Sequence, residues 1–142
     1  MTLRIKQFDS SYFQEVETKL KNLGFHYLGE GGFRVAYGLK NYVIKVPYNE
    51  EGFEDNLTEA YTWRRYKNKP HHQGYMFAPC RLLPDATLLM VKVNPVRNRN
   101  NLPSWTKYID CEQVGEYKGR IVAYDYACDT GHRYDAARYF FP

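Results

Sequence analysis

Leu28-Gly29-Glu30-Gly31-Gly32-Phe33-Arg34-Val35-Ala36-Tyr37, with Val43-Ile44-Lys45-Val46 shortly after it, is the stretch whose reading decides the fold. Three glycines within four residues give a backbone that can reach positive φ and let a ligand approach without meeting a Cβ. Apolar, β-prone residues flank them, so the turn is expected to join two strands of a sheet. Lys45 sits among apolar neighbours in the next strand, where an ammonium facing a phosphate would have to stand. The stretch is either the roof of a nucleotide pocket or only a tight hairpin.

Outward from this segment the period of the apolar residues changes twice. Over residues 8–23 Phe13, Val16 and Leu20 share a helical face, Asp9 or Ser10 can cap the start, and Gly24 stands where a left-handed residue ends a helix. Residues 25–28, 33–39 and 42–48 read as consecutive strands, the last two joined by a Lys40-Asn41 hairpin turn, with Pro47 ending the third. Residues 55–66 read as a helix with Leu57, Ala60, Tyr61 and Arg64 on one face and Glu59 beside them, able to point back at the sheet. Residues 81–83 and 87–93 form a hairpin around Pro84-Asp85. Residues 94–103 read as a loop, 108–114 carry no clear period, 120–124 form a short strand, and the tail 129–142 holds a helix through Ala136-Ala137.

Composition sets the outer bounds. A chain of 142 residues with 44% hydrophobic and 17% aromatic content folds as one domain rather than staying disordered. The order of its elements predicts an α+β fold: a five-stranded antiparallel sheet with the Glu59 helix on one side, an N-terminal helix, and a small C-terminal hairpin and helix. Its formal charge of +4 permits an anionic ligand, but acidic residues are interspersed throughout, so the balance does not by itself indicate nucleic acid. Cys80, Cys111 and Cys128 are odd in number and widely spaced, which reads as reduced thiols. With neither an apolar run of membrane length nor a signal-like apolar core at the start, the expectation is a soluble, cytoplasmic protein.

The order of these parts (helix, strand, glycine-rich turn, strand, Lys-bearing strand, Glu-bearing helix, hairpin) resembles the N-lobe of a protein kinase. Gly29 and Gly31 stand at the first two loop glycines with Gly32 beside them, Phe33 at the aromatic tip, and Ala36 at the apolar residue over the base. Val43-Ile44-Lys45-Val46 is similar to the Val-Ala-Ile-Lys strand, and Glu59 to the helix glutamate that pairs with that lysine. Residues 88–95 resemble the strand entering the hinge, with Met90 near the gatekeeper position. Residues 121–127 resemble the strand running into Asp-Phe-Gly. The resemblance implies ATP with Mg²⁺ as ligand. Lys45 would hold phosphate oxygens, Glu59 would orient Lys45, and Val91 C=O and Val93 N–H would read the edge of an adenine packed against Met90, Val35, Ala36 and Val43. Asp125 would bind the metal as a hard oxygen ligand.

The sequence departs from that pattern in ways that bear on function. No His-Arg-Asp motif precedes Asp125. If Gln113 takes the place of the second metal-binding residue, Tyr108 falls where the catalytic Asp belongs, and Asp110 is the nearest substitute base. Ala127 stands for the last glycine of Asp-Phe-Gly, and Arg34 for the third glycine of the loop, where it is either a replacement anion contact or a plug that salt-bridges inside an empty pocket. Only 17 residues follow Asp125. The expected organisation is an N-terminal helix (1–24), a kinase-like lobe (25–95) and a shortened remnant of the second lobe (96–142), a plan that would suit a phage or pathogen protein.

Its expected function is a pseudokinase-like regulatory module that binds a partner protein, with nucleotide as a companion ligand. The alternative is a minimal ATP- and Mg²⁺-dependent phosphotransferase using Lys45, Asp125 and Asp110. A third reading, nucleic-acid binding through Arg97, Arg99, Trp105 and Tyr108, is set against a plain solvated loop, which is favoured. His71-His72 lacks partners at metal-ligand spacing and reads as a polar loop. Cys80 reads as a buried thiol. Tyr139-Phe140-Phe141 is either a docking patch or a tail folded back over the domain.

Overall fold

The structure is a computed structural model that describes residues 8–109 and 112–142. Five antiparallel strands form the main sheet: β1 (His26–Glu30), β2 (Arg34–Leu39), β3 (Tyr42–Pro47), β4 (Cys80–Leu82) and β5 (Leu88–Val91), in the spatial order β1-β2-β3-β5-β4. The α+β class and the five-stranded sheet are those expected from the sequence. A second, two-stranded sheet pairs β6 (Val114–Tyr117) with β7 (Arg120–Ala123).

Each face of the main sheet carries a helix, as its alternating side chains require. On one face lies α1 (Ser10–Asn22), whose Val16 and Leu20 pack on Val35, Tyr37, Ile44 and Val46. Asp9 caps α1 by accepting from Tyr12 N at 3.0 Å, and Gly24 takes φ +97° just past its end, both as the sequence predicts. On the other face lies α2 (Glu50–Tyr66), packing Phe53, Leu57 and Ala60 against Leu82, Leu88 and Met90.

Helix α2 begins five residues before the expected start at 55. Asn49 is the cap, accepting from Gly52 N at 2.9 Å. Gly52 reads as a helix breaker, yet the packing demands it, because a Cβ there would lie 2.2 Å from the Phe33 carbonyl oxygen. That close approach fixes the glycine-rich segment against the start of α2.

The β6–β7 hairpin turns through Lys118-Gly119, with φ +50° and +77°, the two-residue geometry that suits strand twist. Paired backbone bonds clamp it to the rest: Asn94 N donates to Glu116 O at 2.9 Å and Glu116 N to Asn94 O at 2.8 Å. Gly115 permits this approach, since a Cβ would meet Val93 Cγ2 at 2.5 Å. The end of β7 is held from the other side by Ala78 N donating to Ala123 O at 2.8 Å. The next residues, Tyr124 and Asp125, are thereby carried to the mouth of the main sheet.

The tail folds back. Helix α3 (Arg133–Phe140) lies on α2, with Phe141 against Phe53 at 6.1 Å between ring centroids and Tyr139 against Tyr61 at 5.8 Å. Arg133 donates to Glu54 at 2.8 Å and also to Asp55. The tail packs on α2 as the covering reading expects, while Tyr139 and Phe141 keep 46% and 37% of their surface exposed. No helix among the described residues is long and apolar enough to cross a membrane.

Candidate functional site

Between the α2 face of the sheet and the β6–β7 hairpin opens a cleft of about 850 Å³. It gathers most of the residues singled out from the sequence. Gly29, Gly31, Gly32, Phe33 and Ala36 line it from β1, β2 and their turn, Lys45 from β3, and Met90, Val91 and Val93 from β5 and its continuation. Gln113 and Asp125 line it from either end of the hairpin. Glu59 does not line the cleft; it is fully buried behind Lys45. Asp110, the candidate base, lies outside the described residues.

The loop glycines behave differently from those the fold needs. Gly29, Gly31 and Gly32 do not adopt the left-handed conformations seen at Gly24, Gly74, Gly119 and Gly131. A Cβ on any of the three would meet nothing within 4 Å. The expected need for positive φ is therefore absent, and packing does not ask for glycine either. What the missing side chains leave is bare backbone over an open cleft.

On the opposite wall, β5 offers its own backbone. Val91 N donates to Pro79 O at 3.0 Å, and proline has no N–H to return to the Val91 carbonyl. A purine packed against Met90 and Ala36 would meet polar backbone at Val91 and Val93. The cleft has the size and the mixed apolar and polar lining of a small-molecule site, and the residues present fit a nucleotide.

At the closed end, charge is concentrated. Alternation along β3 buries Ile44 and Val46 under α1 and turns Lys45 to the α2 face. Lys45 Nζ donates to Glu59 Oε1 at 2.8 Å and to the Tyr124 carbonyl. Arg34, the residue in the third-glycine position, forks onto the same carboxylate at 2.8 and 3.0 Å. It reaches further, to Asp125 Oδ1 at 3.0 Å and Asn56 Oδ1 at 3.1 Å. Asn56 in turn donates to the Lys45 and Ala86 carbonyls at 3.1 and 2.9 Å, and Tyr126 N donates to Glu59 Oε2 at 2.9 Å. Glu59 thus accepts four hydrogen bonds in the interior, which is what makes a fully buried carboxylate tolerable.

The electrostatics follow. Burial pushes the Glu59 carboxyl upward, but Arg34 and Lys45 overcome it and hold the group down at about 2. Asp125 goes the other way: burial, then the Glu59 charge, raise it above the ordinary carboxylate range despite Lys45 and Arg34. Cys80, whose Sγ lies 3.2 Å from the Tyr126 hydroxyl, is pushed by burial to about 12 and is no nucleophile at neutral pH.

A divalent cation fits this end poorly. Asp125 already bonds Arg34 at 3.0 Å, and Gln113 is a neutral amide.

Two other sequence signals resolve here. Arg97 is spent on Glu116, to which its backbone N donates at 2.7 Å and its Nη2 lies at 3.0 Å, and Trp105 is buried against Tyr75. Trp105 is thereby withdrawn from any stacking surface, while Tyr108 remains exposed. His71, read as part of a polar loop, is instead buried, stacked on Tyr75 at 4.5 Å, with Nδ1 accepting from Gln73 N at 3.1 Å. Burial and the neighbouring His72 and His132 lower it to about 4.

The partners of Arg34 were not visible in the sequence, and neither were the parts played by Asn56, Asp55 and the Tyr124 carbonyl. Only the bulk of Arg34 at a glycine position marked the place. No protein-family model matches this chain, and no curated protein matches it in sequence.

Proposed function

We propose that the chain is a kinase-like binding module: its cleft holds a purine nucleotide, and it serves a partner protein by association rather than by transferring phosphate. The observation that carries this reading is the Arg34 fork, which joins Glu59 to Asp125 across the end of the cleft. In a phosphotransferase the residue in the place of Asp125 must be free to hold metal, and the nucleophile needs a base in position. Here Asp125 is engaged internally. The purine would lie between Met90 and Ala36, with its edge toward the Val91 and Val93 backbone. The phosphates would lie under the bare backbone of Gly29, Gly31 and Gly32, near Lys45. The open glycine segment supports binding; the occupied Asp125 argues against transfer.

Two measurements on the intact chain test this reading. Millimolar ATP should raise the unfolding temperature of the wild type, with stabilisation growing as RT ln(1 + [L]/Kd), about 2.7 kcal/mol at a hundredfold excess over Kd. Labelled ATP should give no phosphate transfer to the chain or to a protein substrate mixture. Absence of any ATP-dependent stabilisation contradicts the binding claim, and transfer that disappears in Lys45→Ala contradicts the claim that chemistry is missing.

A further inference from the structure

Arg34 is more than an obstacle in a nucleotide pocket. A guanidinium has five N–H donors in a fixed fork. Four contacts account for its two terminal nitrogens: Asn56 Oδ1 and Glu59 Oε1 on one, Glu59 Oε2 and Asp125 Oδ1 on the other. The remaining Nε lies 3.9 Å from Asp55 Oδ2. Asp55 itself accepts from Arg133, so it is not waiting for a cation either. The Arg34 side chain is only 10% exposed and is braced on α2 by Asn56, whose amide is fixed by two backbone carbonyls. It is a fixed internal cation lying between two carboxylates.

A divalent metal in this cleft would have to draw its charge balance from Asp125. It would share that carboxylate with a guanidinium 3.0 Å away, at the cost of like-charge repulsion. Mg²⁺ also demands near-octahedral oxygen ligation, and the nearby candidate, Gln113, brings no charge. Lys45 keeps donor capacity: an ammonium has three hydrogens, and its two contacts are Glu59 and the Tyr124 carbonyl. Anion recognition can therefore come from Lys45 and the glycine backbone with the metal left out.

We propose that the cleft takes its purine nucleotide without a divalent cation, Arg34 standing permanently where the metal would act. This rests on the nucleotide-binding reading above and names the ionic form of its ligand. Nucleotide enters as the free anion. Mg²⁺ brings nothing to the complex because the carboxylate it needs is already neutralised.

Calorimetric titration of the wild-type chain with ATP, once in excess EDTA and once in millimolar Mg²⁺, tests it directly. The apparent dissociation constant should weaken by about tenfold or more in Mg²⁺, because the cation withdraws free ATP into its solution complex, whereas equal or tighter binding in Mg²⁺ overturns the inference while leaving nucleotide binding intact. Absence of binding in both buffers overturns the function reading with it. Arg34→Gly releases Asp125 and should remove that Mg²⁺ penalty, leaving binding at least as tight in Mg²⁺ as in EDTA; an unchanged penalty contradicts the role given to Arg34. Should Arg34→Gly fail to fold, Arg34→Lys keeps the charge near Glu59 but cannot span to Asp125, and the same loss of the Mg²⁺ penalty is expected. A nucleotide-dependent Mn²⁺ relaxation enhancement in the wild type would equally refute the proposal.

Discussion

The two faces of the main sheet are built on opposite principles. Under α1, the interior is Val16, Leu20, Val35, Tyr37, Ile44 and Val46, a cluster with no buried charge. Under α2, the same strands present Arg34 and Lys45 to a buried Glu59 and a half-exposed Asp125. Apolar burial stabilises at about 25 cal/mol per Å² and needs no partner geometry. A buried ion pair needs every lone pair matched merely to offset its desolvation, and a hydrophobic replacement of equal volume often does better. A fold that wanted only stability would have built the second face like the first. Charges beside an open cleft, under glycines that no contact requires, are what single out the α2 face as the candidate site.

The sharpest way to break the comparison is to remove one charge from the second face. Glu59→Ala leaves two cations buried without their carboxylate and should cost about 3–5 kcal/mol in urea unfolding. A loss under about 1 kcal/mol would mean water already reaches the network. On the first face, Leu20→Ala should cost about 2–4 kcal/mol through the cavity it leaves while nucleotide affinity stays as it was. Lost affinity at unchanged fold would mean the faces are coupled.

Acid separates different groups. Glu59, held at about 2 against an unfolded value of 4.5, contributes stability that is fully present above 4.5 and lost as pH falls through about 2. His71, lowered from 6.5 to about 4, contributes stability present above 6.5 and lost as pH falls towards 4. The pH profile of unfolding should therefore decline by about 2–3 kcal/mol between 6.5 and 4, and His71→Phe should flatten that step while leaving the lower one. A profile flat to pH 4 would contradict the buried, neutral His71.

Smaller effects mark the periphery. Asn49→Ala should cost about 1 kcal/mol by uncapping α2, measured by the same unfolding curve. Arg97→Ala, at a largely exposed pair with Glu116, should change stability by no more than about 0.5 kcal/mol.

How much of this could be read in advance depends on the range of the interaction. Strand and helix periods along residues 8–48 placed α1, β1, β2 and β3 to within a residue or two, because local alternation determines which side chains are buried. Glu59 was legible from the same periodicity as a helix residue able to face the sheet, while its pairing with Lys45 came only from the resemblance. The start of α2 was not, since Gly52 looks like a breaker until the Phe33 carbonyl is seen against it. His71 looked polar because nothing local announces that Tyr66, Tyr75 and Phe77 close around it. Arg34 was legible as either an anion contact or a salt-bridging plug, but not its partners: its link to Asp125 spans 91 positions and depends on where the β6–β7 hairpin docks.

The central claim is that the α2 face holds nucleotide and the α1 face only holds the fold. Backbone amide chemical shifts of the labelled chain, recorded during an ATP titration, test it most directly. The account predicts saturable shifts at Gly29, Gly31, Gly32, Val91 and Val93, with Val16, Leu20 and Ile44 unmoved. Shifts absent from the glycine segment, or concentrated at the α1 face, would contradict it.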